Sequence, residues 1–276
     1  MKERQKAGTI LIHIILIIGA IIMLVPFAWM TLTAFKSPTE ATQIDPFLIF
    51  PTTWLTDAFS SVSRKMNFIR LYINTLLMIL GRVIFAVVTS SLAGYALGRL
   101  NFKGKGLCFS LVLFQMMVPV QIFIIPQYLM VSKMGMLDTT FSLIFPGMVS
   151  AFGTFLLRQS YMSLPKELEE AARLDGCSIP QAFFYIMAPL TRSAMIALGI
   201  FTALFAYKDL MWPLISNPDQ STMPLSSALA KLQGQFSANY PELMAASLLA
   251  CIPMVVLYIL FQKQFMEGIA TSGGKL

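Results

Sequence analysis

The chain has 276 residues, 57% of them hydrophobic and 12% charged, with a formal net charge of +7 and a mean hydropathy of +0.72. Soluble domains run at about 45–50% apolar and about 25% charged, so this chain is too poor in charge to solvate a globular surface of its size and reads as a membrane protein. Its basic residues lie between apolar stretches rather than in one run, which argues against a nucleic-acid partner and fits basic cytoplasmic loops.

A helix crosses the hydrocarbon with about 20 apolar residues at about 1.5 Å each. Six segments reach that length: Thr9–Phe35, Leu71–Leu97, Gly106–Val131, Thr139–Leu157, Ser193–Leu214 and Leu243–Phe261. Backbone groups in lipid must satisfy one another, and no stretch alternates with the period of a barrel strand, so the predicted fold is all-α with six transmembrane helices.

The first segment follows Lys2, Arg4 and Lys6 in the manner of a secretory signal. It is longer than a signal core of about 7–15 residues and no small-x-small cleavage site follows, so it reads as a retained helix. His13, near its start, reads as an interfacial residue rather than a catalyst. The second segment carries Arg82, 11 residues in, or about 16 Å by helical rise. In the third, Pro119 and Pro126 interrupt the helix. Its Gln115, Gln121 and Gln127 advance by about 240° from one to the next and share no face, whereas Gln121 and Tyr128, seven apart, do share one. The fourth is the shortest and is broken by Pro146, Gly147 and Gly153. The fifth carries Lys208 and Asp209 toward its outer half. Intramembrane charges cost about 2.5–3.5 kcal/mol each and mark functional positions. Arg82, Gln121, Tyr128, Lys208 and Asp209 are therefore the candidates for a substrate path or gate, and an inter-helix ion pair between Arg82 and Asp209 is the competing structural reading. The methionine-rich runs read as packing residues. Cys108, Cys177 and Cys251 lie far apart, without the spacing of a disulfide framework or a zinc site.

With the N-terminus placed in the cytoplasm, twelve basic residues fall in inner segments and six in outer ones, which favours cytoplasmic N- and C-termini. The longest inner interruption, 158–192, has helix signals. Pro165 and the acidic Glu167, Glu169 and Glu170 suit a helix start, predicted over Lys166–Leu174. Gly176 suits a left-handed stop. Ser178 and Gln181 have capping-box spacing for a second short helix, with Pro180 in its first turn and Pro189 at its end. Such an elbow, with Ala171 and Ala172 on its surface, is either a docking feature or an amphipathic interfacial hairpin.

The run EEAARLDGCSIPQAFFYIMAPL resembles the Glu-Ala-Ala loop of ABC import permeases. Glu170, Ala171, Ala172, Gly176, Ile186 and Pro189 match in type and spacing, and Ala188 stands where leucine is usual. SSLAGYALGRLNFKGK, IPQYLM, LPKELEEAARLDG and the terminal GIATSGGKL extend the likeness to the MalG-like carbohydrate permeases. One departure is Tyr207-Lys208-Asp209-Leu210, where many members have Trp-Asn-Asp/Glu-Phe.

The resemblance implies the type I importer permease fold. It makes residues 1–276 one permease domain: a cytoplasmic N-terminus at 1–8, a six-helix core at 9–265 with its coupling loop at 158–192, and a cytoplasmic tail at 266–276. It assigns ATPase docking to Glu170, Ala171, Ala172, Asp175 and Gly176, with Glu170 contacting a basic residue of the ATPase. The expected partners are a second, homologous permease, two copies of a cytoplasmic ATPase, an extracytoplasmic solute-binding protein, a di- or oligosaccharide and membrane lipid, in a bacterial or archaeal cytoplasmic membrane. The chain lacks a phosphate loop, since Gly98 to Gly106 has the wrong spacing, and no nucleophile–base or metal constellation is present. It is thus expected to be non-catalytic and to bind no cofactor, with ATP and Mg on the partner ATPase. The tail from Gly268 to Leu276 is expected to touch the ATPase pair. A polyol or glycerol phosphate compound is the alternative substrate. A secondary transporter or channel would show inverted repeats or dense midplane charge, which this sequence lacks.

Overall fold

The structure is a computed structural model that describes residues 2–233 and 239–273. Among these residues all regular structure is helical: α1 Lys2–Ala34, α2 Pro38–Thr42, α3 Asp57–Lys65, α4 Phe68–Arg99, α5 Lys105–Met117, α6 Ile124–Lys133, α7 Thr140–Ile144, α8 Ala151–Ser163, α9 Glu167–Leu174, α10 Ile179–Ala182, α11 Ala188–Leu190, α12 Arg192–Lys208, α13 Met211–Ser216, α14 Leu225–Leu232 and α15 Tyr240–Gly273. The contacts divide the chain into two compact units, residues 1–68 with 229–255 and residues 69–228 with 256–276.

Helices α1, α4 and α15 are each long and apolar enough to cross a membrane, and six spans result if each bent helix pair is one span. The predicted segments thus recur, but three are not straight. The third bends by 102° between α5 and the 3₁₀ turn Val120–Phe123 that leads into α6. The cause is Val118, extended ahead of Pro119 as a residue before proline tends to be. Pro126 does no such damage, because it lies in the first turn of α6, where its missing N–H has no intrahelical partner to lose. The fourth bends by 49° across the break after Gly147, and Ser150 restarts the helix by accepting from Gly153 N at 2.9 Å. The fifth was predicted to run to Leu214. Instead α12 stops at Lys208, Asp209 is extended, and α13 starts afresh.

In the first unit, Ala34, Ala58 and Ala245 form a small core packed by Phe59, Met244 and Leu248. Glu242 Oε2 pairs with Lys65 Nζ at 2.6 Å, and Glu242 Oε1 accepts from Ser61 Oγ at 2.7 Å. Ser37 caps α2 through a capping box with Glu40. Thr52 donates to the same carboxylate from its hydroxyl and, at 3.2 Å, its amide. These Thr52 and Ser37 hydrogen bonds hold the Glu40 carboxyl below the ordinary carboxylate range. The sign follows from linkage: the contribution is present above the unfolded-state pKa and is lost as pH falls through the folded one.

In the second unit α4 runs unbroken and presents a stripe of small residues, Ala86, Ser90, Gly94 and Gly98, at four-residue spacing. Small residues let helix backbones approach closely in a membrane protein. At Gly94 an added Cβ would stand 2.8 Å from the backbone nitrogen of Arg158. The closeness is used: Arg158 Nε donates to Leu97 O at 3.1 Å, and its guanidinium lies 3.8 Å above the Phe109 ring. Below this crossing, Tyr95, Leu157, Tyr161, Phe183, Met187 and Leu198 form a buried cluster. In it Tyr95 meets Tyr161 edge-on at 5.5 Å and Phe183 at 5.1 Å, and Ser91 Oγ and Tyr161 Oη share a hydrogen bond of 2.6 Å. Gly94→Val is expected to lower the unfolding temperature of the detergent-solubilised protein, through an overpacking cost of about 1–3 kcal/mol. Gly106→Ala, where a Cβ meets nothing within 4 Å, is expected to leave it unchanged in the same melt.

Candidate functional site

The elbow leaves α8 at Leu164, which is extended ahead of Pro165. Glu167, Glu169 and Glu170 crowd the first turn of α9, where the helix dipole favours them. Its end is closed by a Schellman pair: Gly176 N donates to Arg173 O at 3.0 Å and Cys177 N to Ala172 O at 2.9 Å. Gly176 adopts φ +82°, a left-handed conformation suited to glycine. Asp175 is the exposed C-cap. Ser178 and Gln181 make the expected capping box at the start of α10, with Ser178 N donating to Gln181 Oε1 at 2.8 Å.

Pro189 does not end this second helix. A π-helical turn at Phe183–Met187 precedes it and α11 carries on through it. The wider turn accommodates an imide nitrogen that cannot donate. The chain instead bends by 73° between Leu190 and Arg192.

Helical geometry divides the Glu-Ala-Ala triplet. Glu170 and Ala171 are exposed, but Ala172 is buried, with 3% of its surface accessible. The expectation that both alanines lie on the surface is therefore corrected: Ala172 falls on the same side as Glu169, three residues back. The outward face is instead Glu167, Glu170, Ala171 and Leu174, at the spacing of a helical stripe. Leu174 is 90% exposed, and Ile179, Phe184 and Tyr185 extend the apolar surface beyond the turn.

Sequence reasoning missed Glu169 and Leu174. Glu169 is 8% exposed. Its Oε1 accepts from Tyr95 Oη at 3.2 Å and Arg173 Nη2 at 2.9 Å, and its Oε2 lies 3.5 Å from Arg99 Nε. Arg99 Nη2 also donates to Pro165 O at 2.8 Å. The i,i+4 spacing of Glu169 and Arg173 was a visible signal; the reach to α4 was not.

The remaining candidates separate. Arg82 is 6% exposed. Its Nη1 meets Asp209 Oδ2 at 2.8 Å and its Nε donates to Leu143 O at 2.7 Å, so the inter-helix pair read from the sequence is present. Arg82 Nη2 is buried without a hydrogen-bond partner. The pair joins α4, the end of α7 and the break between α12 and α13, where Asp209 O also accepts from Ser226 Oγ at 2.7 Å. Lys208, one residue away, is exposed and outside the pair. Gln121 is exposed in the 3₁₀ turn after the break and Tyr128 is half-buried in α6, and because the turn leads straight into α6 both lie on the same arm of the bent segment. The tail expected to touch a partner extends beyond Gly273, outside the described residues.

Long apolar helices, three of them unbroken and three more spans as bent pairs, are those of a multi-pass membrane protein. The chain belongs to the family of binding-protein-dependent transport system inner membrane components, whose family pattern matches residues 90–269 and so contains the whole elbow. It is a non-catalytic ABC importer permease, a class that works with a partner permease, a separate ATPase subunit and a binding protein. Among its relatives is the arabinooligosaccharides transport system permease protein AraQ of Halalkalibacterium halodurans, 33% identical over 93% of this chain and 92% of that one. The sn-glycerol-3-phosphate transport system permease protein UgpE of Yersinia enterocolitica is 29% identical over 99% of both. A chain of a bacterial ABC transporter involved in the import of the acidic polysaccharide alginate shares the fold, with a TM-score of 0.79 at 22% identity, covering 94% of this chain and 96% of that one.

Removing one partner of a buried pair leaves the other charge stranded, at about 3–5 kcal/mol. Asp209→Ala is expected to fall at the low end of that range because Asp209 is partly exposed, read as a lower unfolding temperature in lipid nanodiscs. Arg82→Met with Asp209→Leu is expected to recover most of the loss, since an apolar pair needs no desolvation.

Proposed function

We propose that this chain carries a carbohydrate, of di- or oligosaccharide size, across a cytoplasmic membrane, paired with a second permease and driven by two copies of an ATPase that bind ATP and Mg. The reading rests on the outward face of α9, where two carboxylates, Glu167 and Glu170, and one almost fully exposed leucine stand on a helix closed at its C-terminal end by the Gly176 turn. An exposed leucine beside charged neighbours suits a protein cleft better than water. Glu170 supplies the charge for a basic residue of the ATPase, Ala171 permits close approach, and Asp175 with Gly176 shapes the turn. The excess of basic residues in the segments that include the elbow supports a cytoplasmic placement for it and for both termini. An extracytoplasmic binding protein delivers the sugar on the other side.

The likeness to an arabinooligosaccharide permease supports the sugar, and the likeness to a glycerol-phosphate permease supports a phosphorylated substrate as the second reading. Charge placement favours the sugar. Of the two basic residues read within spans, Arg82 is neutralised by Asp209, which leaves Lys208 to meet a phosphate. Lys208, Gln121 and Tyr128 are the residues we assign to the path, and the Arg82–Asp209 pair to a gate between helices.

Glu170→Ala and Leu174→Asp are each expected to lower uptake by about tenfold or more, equivalent to about 1.4 kcal/mol or more of lost docking energy. Membrane insertion is expected to be intact. Uptake in cells, and co-purification of the ATPase with the permease, check this; normal uptake in both variants would overturn the docking assignment.

A further inference from the structure

A docking face transmits nothing unless the helix that bears it is fixed to something that moves. On α9 the outward residues and the inward ones point to different tasks. The outward stripe makes no connection to the rest of the unit through Glu170 or Leu174, both exposed. The inward side is held through Glu169, with Ala172 packed beside it. Its carboxylate joins the hydroxyl of Tyr95 and the guanidinium of Arg99, both on the last two turns of α4, to Arg173 on its own helix. Arg99 also holds the carbonyl of Pro165, the residue on which the chain turns out of α8.

We propose that Glu169 is the positioning residue that makes the docking helix and α4 move as one piece, distinct from the residues that contact the ATPase. The proposal rests on the reading of the elbow as the docking site. Three features support it. Glu169 and Arg99 are both nearly buried, so withdrawing α9 from α4 would strand the Arg99 charge, a costly step, while the exposed Arg173 travels with α9. The aromatic cluster of Tyr95, Tyr161 and Phe183 backs the same contact and is wedged between α4, α8 and the π turn of the elbow, so rocking α9 alone would also open that cluster. Finally, α4 has no break between Arg99 and Arg82, 17 residues or about 26 Å away, and there it is joined by the Arg82–Asp209 pair to the gap between α12 and α13. A displacement of the elbow therefore arrives at that ion pair through a rigid helix. The neighbouring bent segments, α5–α6 and α7–α8, offer no comparably straight route.

The test uses the assembled importer in proteoliposomes: this chain with its partner permease, ATPase and binding protein. ATPase retention on the membrane and substrate molecules imported per ATP hydrolysed are measured for Glu169→Gln, Arg99→Gln and the double variant. Glutamine keeps the size of Glu169 and an acceptor for Tyr95 while removing the charge. Each single variant is expected to retain the ATPase within about twofold and to lower import per ATP by fivefold or more. The double variant is expected to be no worse than either single one, because both remove the same link. Unchanged import per ATP in Glu169→Gln overturns the proposal. So does loss of ATPase retention, which would make Glu169 a docking residue, and so do fully additive losses, which would separate Glu169 from Arg99. Misfolding is read independently from the melting temperature of each purified variant, and a melt shifted in proportion to the lost import assigns Glu169 a structural role alone and also overturns the proposal. An ATPase that fails to bind the unsubstituted permease, or that binds Glu170→Ala and Leu174→Asp as well as wild type, overturns the elbow assignment itself.

Discussion

The second unit depends on a strip of missing side chains. Ala86, Ser90, Gly94 and Gly98 follow one edge of α4, and at Gly94 the backbone of α8 comes so close that a single carbon would collide with it. Lipid tails are as apolar as leucine, so helices in a bilayer are held by contact and polar pairing rather than by expulsion from water. The close crossing provides both. It brings Arg158 to the carbonyl of Leu97, sets Tyr161 edge-on against Tyr95, and delivers Pro165 and Glu169 to the end of α4. A wider separation at Gly94 would leave the elbow without its anchor, however well its own caps were formed.

Charge is placed where that packing has already fixed the geometry. Arg82 and Arg99 both lie on α4, and each meets a carboxylate from an element later in the chain. Buried pairs of this kind add little net stability, because desolvation offsets the attraction, but a misregistered helix would strand either arginine. Their effect is to penalise wrong arrangements. Arg82 is held so closely that Gly147 has no room for a side chain against its aliphatic stem, and one of its nitrogens is left without a partner. In a working transporter an incompletely satisfied pair is a place where the alternative arrangement costs less than it would in a fully satisfied one.

Much of this was legible in the residues. Hydrophobic length located the six candidate segments, though not the break in the fifth, because the cost of exposed backbone in lipid leaves helices as the economical solution. The expense of charge inside a membrane singled out Arg82 and Asp209 and offered their pairing as one of two readings, and the structure brings the two together. The Ser178–Gln181 box and the stop at Gly176 followed from capping chemistry alone. The breaks were harder. Pro119 and Pro126 look alike in sequence, yet one bends the chain by 102° and the other sits in a first turn, and which is which depends on where the helix restarts. Pro189 misled for a related reason, since a π turn can absorb a missing donor and nothing in the local sequence announces one.

The elbow shows the limit most clearly. A motif written as a string suggests that its letters act together, whereas a helix turns by about 100° between neighbours. Glu170 and Ala171 therefore face out, while Ala172 faces in beside Glu169. Two adjacent glutamates, chemically identical, thus end in opposite environments: one exposed, the other closed in by Tyr95, Arg99 and Arg173. Composition cannot separate them, because the difference is made by Arg99, about 70 residues earlier in the chain, and by the glycine that lets its helix come near. The same geometry explains how a short run can be both gripped from outside and fixed from within. Docking needs a face that is free, transmission needs a face that is not, and a helix of two turns closed by the Gly176 turn is about the smallest element that supplies both.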